Sequence, residues 1–360
     1  MNIAFVITTL TGGGAERVAS ILCNEWRNKG HNITLILTSQ HFCGEAEYYP
    51  LDKSIKVHEL SHNIKKTIFF KIKETRKIFL VNQIQVVVTF LPNSSYIAQM
   101  AAKGMHIYSI VSERADPTHS NGISKYFLRK ITFAKADRVV FQTYNVMNLF
   151  SKKIRSKSVV ITNPSYTKPM QRKISYDKQI VAIGRLCPQK RYGYLINAFS
   201  IFLNAHDDYK LIIYGAGPSI DSIKKVIMDS GLNNRILLKG FVNNIEDSIS
   251  SSSFFVMSSL YEGFPNSLLE ACLLGLPCIS SNFYSGGAEQ LIKDGYNGFL
   301  VGTGDSPRVF SKKMEIMAEN LDFFRDNSHK HAQILCNNHN PSYIADLWIK
   351  LFNEVLDKKR

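Results

Sequence analysis

The sequence has little of several features that would fix its class at once. Its six cysteines, at positions 23, 43, 187, 272, 278 and 336, show neither C-x-x-C spacing nor flanking histidines. This predicts reduced thiols that mostly fill the core of a cytosolic protein. No apolar run approaches the roughly 20 residues that span a bilayer. Residues 1–7 run directly into a glycine-rich turn without a basic leader, so we expect no signal peptide.

Motifs of three further classes are also missing. No helix-turn-helix, zinc finger or aromatic RNA-binding strand occurs, so we expect no nucleic-acid partner. No D-x-D motif follows a predicted strand, and the acidic pair Asp207-Asp208 lies before a strand. We therefore expect no metal site. The turn Gly12-Gly13-Gly14 lacks the later glycine of G-x-G-x-x-G, which argues against nicotinamide binding.

Acidic residues are scarce in the first half of the chain. Residues 1–168 contain 23 Lys and Arg against 10 Asp and Glu, a net charge of +13 out of the +15 of the whole sequence. Such asymmetry predicts an anionic partner for this half. With nucleic-acid motifs missing, an acidic membrane surface is the favoured partner.

Strand and helix patterns alternate along the chain and pause once. The pause is the polar stretch 161–169, which contains two prolines. The alternation predicts an α/β protein with two doubly wound, Rossmann-like domains facing a cleft. We expect an N-terminal acceptor-binding, membrane-facing domain at residues 1–165 and a C-terminal donor-binding domain at 170–340. A terminal helix at 341–360, with Trp348 and Phe352 one turn apart, is expected to pack onto the preceding domain or across both.

The most informative segment is residues 261–271, YEGFPNSLLEA. Glu262 follows a buried strand, Pro265 predicts a helix start, and Glu270 lies in the early turns of that helix. The unpaired N–H groups of a helix start can bind phosphate, and the two carboxylates can accept hydrogen bonds from hydroxyls on either side. A phosphate flanked by hydroxylated rings describes a nucleotide sugar. Spacing alone is weak evidence, because paired glutamates on helices are usually solvated.

Two glycine-containing turns also follow predicted strands. In the segment 184–191, GRLCPQKR, Arg185 and Lys190 leave the same strand end and can neutralise a departing diphosphate. The alternative is a solvated basic loop. The turn at residues 12–14 can bring backbone close to an anion, although a plain tight turn explains it equally well.

These segments together resemble the retaining GT-B glycosyltransferases of family 4. The segments 184–191 and 262–271 match the donor-binding motifs of that family, the latter being its E-x7-E motif. The segments 12–18, 112–114 and 285–289 look like those of bacterial transferases that extend polyprenyl-diphosphate-linked oligosaccharides, some of which use UDP-GalNAc. The resemblance implies metal-independent transfer of a hexose or N-acetylhexosamine, with retention, from a nucleotide sugar such as a UDP-sugar to a lipid-linked glycan. It implies no cofactor beyond that co-substrate.

The resemblance also assigns roles to individual residues. Arg185 and Lys190 would hold the donor diphosphate, Glu262 would face the transferred sugar, and Glu270 would bind the ribose. The other donor-binding candidates are backbone groups at glycines and at the helix start: Gly13, Gly14, Gly184, Phe264, Pro265, Asn266, Ser267 and Leu268.

The acceptor side departs from the family pattern. Many members carry a histidine near the position of Arg114, where this chain reads Ser112-Glu113-Arg114 with His119 nearby. Glu113, Arg114 and His119 are the acceptor-side candidates. A structural salt bridge explains the Glu-Arg pair equally well.

A basic and apolar segment supports a membrane location. In residues 65–80, Ile68, Ile72 and Phe79 share one helical side, and Lys66, Lys73 and Lys77 share another. Such a helix can lie on an anionic leaflet, or it can be an ordinary surface helix. We expect a cytoplasmic protein, peripheral on the inner face of the membrane, that takes part in surface polysaccharide or lipopolysaccharide assembly. The alternative is a non-catalytic protein that binds nucleotide sugars or nucleic acid.

Overall fold

A computed structural model describes residues 1–39, 49–60, 67–119, 123–170, 177–242 and 245–357. Cys43, Lys65 and Lys66, which figure in the sequence predictions, lie outside these ranges. The chain divides into two compact units, which are described separately: unit 1 comprises Met1–Ser165 with His339–Arg360, and unit 2 comprises Tyr166–Asn338. Among the described residues, no helix is both long and apolar enough to cross a bilayer.

Unit 1 is built on a seven-stranded sheet whose strands are all parallel, in the order β3-β2-β1-β4-β5-β6-β7. The strands are β1 Asn2–Ile7, β2 Asn32–Leu37, β3 Lys56–Glu59, β4 Val86–Phe90, β5 Tyr108–Ser112, β6 Arg138–Phe141 and β7 Ser158–Val160. The helices of the same stretch are α1 Gly14–Asn28, α2 Ile68–Val81, α3 Pro92–Ala102, α4 Ile123–Lys135, α5 Tyr144–Asn148 and α6 Lys152–Arg155. Strands β1, β2 and β4 are almost entirely buried, as expected where helices cover both faces of a parallel sheet.

Unit 2 repeats this plan with six parallel strands in the order β10-β9-β8-β11-β12-β13. Its strands are β8 Gln179–Ile183, β9 Lys210–Tyr214, β10 Ile236–Gly240, β11 Phe254–Met257, β12 Cys278–Asn282 and β13 Gly298–Gly302. Its helices are α7 Tyr192–Phe202, α8 Ile220–Asp229, α9 Ile245–Ile249, α10 Asn266–Leu273, α11 Pro307–Glu319 and α12 Leu321–Asn338. The sequence therefore predicted both the fold class and the two doubly wound units correctly.

The last helix, α13 Pro341–Asp357, returns to unit 1. Trp348 and Phe352 are fully buried there and pack on Trp26 of α1, with ring centroids 5.9 and 5.1 Å apart. Of the two expectations, packing onto the preceding domain is therefore wrong, and packing across both domains stays a prediction. The reason is that α1 offers a matching aromatic side, which periodicity within α13 alone cannot reveal.

The five described cysteines are free, and Cys23, Cys272 and Cys278 are buried. The Sγ atoms of Cys272 and Cys278 lie 3.5 Å apart in the core of unit 2. Burial raises the pKa of the Cys23 and Cys278 thiols, so these thiols are unreactive filling of the core.

Candidate functional site in the C-terminal unit

The order of strands in unit 2 reverses between β8 and β11. Strand β8 pairs with β9 on one side and with β11 on the other, so the chain leaves the two central strands in opposite directions. Open α/β sheets bind ligands at this point, outside the carboxyl ends of the strands. The segment 184–191 singled out in the sequence is the loop that follows β8, and the segment 261–271 begins in the loop 258–265 that follows β11.

Several hydrogen bonds join the two loops. The backbone N–H of Leu260 donates to the carbonyl of Gln189 at 2.8 Å, and the Gln189 side chain donates to the carbonyl of Tyr261 at 2.7 Å. The Ser258 hydroxyl donates to the carbonyl of Lys190 at 2.7 Å. These bonds hold the basic loop and the acidic loop in a fixed relation to each other.

The functional groups of the two loops meet in an ion pair. The Nζ atom of Lys190 lies 2.7 Å from Oε1 of Glu262, and the side chains are 14% and 13% exposed. The lysine stem crosses Gly184 so closely that a Cβ atom at Gly184 would lie 2.8 Å from its Cε atom. Glycine at 184 therefore gives Lys190 its path to Glu262. Arg185, which follows Gly184 in the chain, is exposed.

Helix α10 starts next to the acidic loop. Pro265 is its N-cap residue and makes no side-chain capping bond. Phe264 and Leu268 are buried in the core, so only their backbone groups are candidates for contact with a ligand. The Ser267 hydroxyl donates to the carbonyl of Ile183 at 3.2 Å, which fixes the first turn of α10, begun by Asn266, against the end of β8.

Glu270 lies in the second turn of α10 and is only 6% exposed. The predicted role of this carboxylate, to bind the ribose hydroxyls, stays a prediction. The structure thus brings Lys190 and Glu262 into contact and places Gly184 beside them. It sets Glu270 one helical turn beyond the helix start.

In unit 1 the glycine-rich turn contains its own carboxylate. Gly13 is the N-cap residue of α1, and Gly14 is the first residue of the helix. A Cβ atom on Gly13 would lie 2.0 Å from Oε2 of Glu16. A phosphate contact at Gly13 would therefore have to displace the Glu16 carboxylate.

The acceptor-side candidate Glu113 makes a structural ion pair. It is buried, and its Oε2 atom lies 2.5 Å from Nε of Arg129 on α4. Its Oε1 atom accepts the backbone N–H groups of Arg114 and Ala115, each at 3.2 Å. Burial raises the pKa of Glu113, and the charge of Arg129 opposes this shift. These contacts favour the salt-bridge interpretation for Glu113.

Arg114 is held by aromatic rings and one amide. Its guanidinium carbon lies 3.8 Å from the centre of the Phe90 ring, and Nη1 donates to Oδ1 of Asn163 at 2.6 Å. Its Nε and Nη2 atoms are buried without a hydrogen-bond partner in the described part of the chain. Burial lowers the pKa of Arg114.

His119 ends a short 3₁₀ turn that begins at Pro117. Its Nδ1 atom lies 3.3 Å from Oδ2 of the buried Asp116, while the histidine side chain is 41% exposed. A carboxylate at this distance orients an imidazole ring. Of the three acceptor-side candidates, His119 is therefore the one presented to solvent in an oriented form.

Most of the predicted apolar side of α2 covers the sheet. Phe79 is buried and Ile72 packs against the same core, whereas Ile68 in the first turn is 45% exposed. Phe69, also in the first turn of α2, is 80% exposed, and on α4 Tyr126 and Phe127 are 57% and 54% exposed.

Comparison with known proteins identifies the C-terminal unit. Residues 167–335 match the family model described as "Glycosyl transferases group 1". This unit is a glycosyl transferase group 1 domain. The solved structure of the Anabaena protein HepE in complex with UDP covers 98% of the chain and all of its own length, with a TM-score of 0.80 and 16% identity. That likeness shows the GT-B glycosyltransferase fold for the whole chain.

Two curated relatives of this glycosyltransferase illustrate the range of similarity. An α-1,4-N-acetyl-D-galactosaminyltransferase of Campylobacter jejuni, named for the substrate GalNAc-α-(1->4)-GalNAc-α-(1->3)-diNAcBac-PP-undecaprenol, is 27% identical and covers 99% of both chains. The UDP-Gal:α-D-GlcNAc-diphosphoundecaprenol α-1,3-galactosyltransferase of Escherichia coli is 37% identical over 126 residues, 34% of this chain and 32% of its own. These relatives are transferases, which supports catalysis over the non-catalytic alternative.

Sequence reasoning missed one group in this glycosyltransferase site. Gln189 was not assigned a role, yet its side chain and its carbonyl each make a hydrogen bond between the loops. Among the described residues, no three His, Cys, Asp or Glu side chains converge as metal ligands would.

Proposed function

We propose that the protein is a retaining, metal-independent hexosyltransferase of family 4. It would move a hexose or N-acetylhexosamine from a UDP-sugar to a polyprenyl-diphosphate-linked glycan. The observation that carries this proposal is the Lys190–Glu262 pair at the point in the group 1 domain where strand order reverses, beside the start of α10.

The chemistry follows from what these groups can do for a departing diphosphate. Lys190 and Arg185 supply positive charge where negative charge develops as the sugar–phosphate bond breaks, so protein cations perform the task that a metal performs elsewhere. When the donor binds, Lys190 exchanges part of its bond to Glu262 for the diphosphate. Glu262 is then released to accept hydrogen bonds from the transferred sugar.

The acceptor class rests on the relatives. The names of the Campylobacter and Escherichia transferases specify undecaprenol-diphosphate-linked glycans, and the first ends in GalNAc. A GalNAc-terminated undecaprenyl-diphosphate glycan is therefore the first acceptor to test, with UDP-GalNAc as the donor. Nuclear magnetic resonance of the product reports the anomeric configuration and tests retention.

Donor binding tests the role of Glu270. UDP should raise the melting temperature of the wild type in EDTA more than GDP or ADP does, because a ligand that binds only the folded state stabilises it by mass action. Glu270→Gln should weaken UDP binding by roughly tenfold or more, since a carboxylate accepts ribose hydroxyls more strongly than an amide does.

The control for this experiment is Glu319→Gln, which changes an exposed glutamate and should leave the affinity for UDP unchanged. Equal UDP affinity in wild type and Glu270→Gln would remove the ribose role. Transfer that is abolished by EDTA and restored by Mn²⁺ would refute a metal-independent reaction.

The same proposal places the protein on the inner face of the cell membrane. The first turns of α2 and α4 expose Phe69, Tyr126 and Phe127. Both helices pack against α3, on one face of the sheet. A helix that runs antiparallel to the parallel strands starts at the carboxyl edge of the sheet, so the first turns of α2 and α4 lie at that edge. Exposed rings on the strongly basic half of the chain suit the interface of an anionic bilayer.

Vesicle sedimentation tests this surface. The triple variant Phe69→Ser, Tyr126→Ser, Phe127→Ser should bind anionic vesicles at least about tenfold more weakly than wild type, because each buried aromatic side chain contributes roughly 1.5–3 kcal/mol. Binding of the wild type should also weaken with added salt. The control Phe323→Ser, Ile334→Ser removes exposed apolar side chains of unit 2 and should bind as wild type does. Equal sedimentation of the triple variant would refute this surface.

A further inference from the structure

Three described residues other than glycine have a left-handed backbone. They are Gln83, Leu91 and Arg191, with φ of 48°, 71° and 51°. Of these, Arg191 belongs to unit 2, where it directly follows Lys190. Its φ of 51° and ψ of 42° bring Cβ close to backbone oxygen, so the conformation is unfavourable for an L-residue. Such a residue persists only where the contacts around it hold it in place.

The left-handed residue separates two helical segments of the donor site. The 3₁₀ turn Pro188–Lys190 ends just before Arg191, and helix α7 begins just after it. From the last position of the 3₁₀ turn, the lysine stem crosses Gly184 to reach Glu262. The backbone conformation at position 191 therefore sets the direction of the lysine relative to α7. A change of φ there would move the Nζ atom away from Glu262.

The side chain of Arg191 is anchored at two points. Its Nη1 atom donates to the carbonyl of Thr303, in the loop after β13, at 2.7 Å. Its guanidinium carbon lies 4.2 Å from the centre of the Tyr194 ring, and the hydroxyl of that ring donates to the carbonyl of Ser306 at 3.1 Å. Charged hydrogen bonds and ring stacking are the contacts that arginine makes best, so together they can hold the unfavourable turn.

The backbone beside Arg191 is held from the acidic loop. The Ser258 hydroxyl lies 2.7 Å from the carbonyl oxygen of Lys190 and 3.4 Å from that of Arg191. Lys190 is thus fixed through its own carbonyl by the loop after β11. Through the next residue, it is fixed by the loop after β13.

We infer that Arg191 is a positioning residue whose contacts with Thr303 and Tyr194 hold the left-handed turn that aims the Lys190 ammonium group at the donor diphosphate. The inference rests on the proposed function for the role of Lys190. Arg191 acts only through this turn, whereas Arg185 contributes its own charge. Because glycine adopts the left-handed conformation without strain, glycine at position 191 would not need the two contacts.

Two substitutions at position 191 test this role. Arg191→Ala removes both contacts but keeps Cβ, so the turn relaxes, and kcat should fall roughly tenfold or more because the ammonium group is misplaced. The affinity for UDP should change much less, since charge on the diphosphate grows only as the bond breaks. Arg191→Gly removes the same contacts but keeps the turn, and its kcat should stay close to that of wild type. A side chain needed for its charge would instead give equal losses in both variants, which would overturn the inference.

Gln83 is the matched control. It has the same type of backbone conformation, with φ of 48°, and lies exposed in unit 1. Gln83→Gly and Gln83→Ala should both leave kcat unchanged. A difference in kcat between these two variants as large as that between Arg191→Gly and Arg191→Ala would overturn the inference, because the effect would then be one of general stability.

Tyr194 supplies a second test of the anchor. Tyr194→Leu removes the ring that stacks on the guanidinium group and should lower kcat severalfold in the wild type. It should change kcat little in Arg191→Gly, because both changes act on the same contact and the glycine turn needs no anchor. Equal losses in the two backgrounds would show that Tyr194 supports α7 and not the turn, and would overturn the inference.

NMR of isotope-labelled lysine separates this inference from the proposed function, because it needs no turnover. An ammonium group paired with a carboxylate exchanges its protons slowly, and Lys190→Ala identifies the signal of Lys190 by its loss. This signal should shift or weaken in Arg191→Ala and remain in Arg191→Gly. If it does so while Lys190→Ala keeps the kcat of wild type, the proposed role of Lys190 fails and its positioning by Arg191 stands. An unchanged Lys190 signal in Arg191→Ala overturns the inference.

Discussion

Replacing Lys190 by alanine should lower kcat by roughly 10²–10³-fold, the usual loss when one preorganised group that stabilises transition-state charge is removed. Its Nζ atom already lies 2.7 Å from Glu262 in a largely enclosed position, so water replaces it poorly. The affinity for UDP should fall much less than kcat, because charge on the diphosphate grows as the bond to the sugar breaks. Steady-state kinetics and calorimetry with UDP measure the two effects.

Three variants make this result interpretable. Lys190→Arg keeps the charge and should recover part of the lost kcat. Arg185→Ala should lower kcat without disturbing the fold, because Arg185 is exposed. Lys178→Ala is the control. Lys178 directly precedes β8, at the end of the strand opposite to Arg185 and Lys190, and pairs with Asp208 on the surface. Its removal should leave kcat unchanged. Turnover near that of wild type in both Lys190→Ala and Arg185→Ala would remove these residues from the reaction.

The fold followed from the sequence wherever strands are long and apolar. The sequence predicted the central strands of both sheets because Val86–Phe90 in unit 1 and Phe254–Met257 in unit 2 are nearly continuous apolar runs between helical patterns. The structure adds three strands that the sequence did not indicate: Lys56–Glu59, Ser158–Val160 and Gly298–Gly302. Each lies at the edge of its sheet, where half-exposed or short strands do not need an apolar run.

The site residues that lie within one continuous segment could be predicted from the sequence. Glu262 and Glu270 were recognisable because a buried strand, a turn and a helix start follow one another directly in the sequence. The contact between Lys190 and Glu262 joins residues 72 positions apart, and it depends on β8 and β11 being neighbours. The bond between Glu113 and Arg129 has the same character, because it requires α4 to lie against the loop after β5. The return of α13 to unit 1 is a third long-range contact that local patterns cannot specify.

The buried Glu113–Arg129 pair should be the most sensitive polar contact of unit 1. Arg129→Met removes the charge that lies 2.5 Å from Oε2 of Glu113 and leaves a buried carboxylate, with both side chains only 5–6% exposed in the wild type. We expect the free energy of unfolding of unit 1 to fall by about 3–5 kcal/mol, the usual cost of removing one partner of a buried pair. Both tryptophans of the chain, Trp26 and Trp348, lie in unit 1, so urea unfolding followed by tryptophan fluorescence reports this unit alone.

The pH dependence identifies the cause of the loss. Burial raises the pKa of Glu113, and the charge of Arg129 opposes this shift in the wild type. Arg129→Met removes that opposing charge. A carboxyl group whose pKa is higher in the folded state than in the unfolded chain favours folding when protonated, and this contribution is lost as the pH rises through the folded-state pKa. The deficit of Arg129→Met should therefore shrink as the pH falls from 8 toward 5.

The double variant Glu113→Gln, Arg129→Met completes a cycle of four proteins. It removes both charges and should recover most of the free energy of unfolding that Arg129→Met loses, because no buried charge remains uncompensated. A structural role for Glu113 requires this recovery together with little change in the KM for the acceptor in Glu113→Gln. If the double variant is instead as unstable as Arg129→Met at every pH, the loss comes from the packing of the arginine stem, and the ion pair does not stabilise the loop that carries Arg114 and His119.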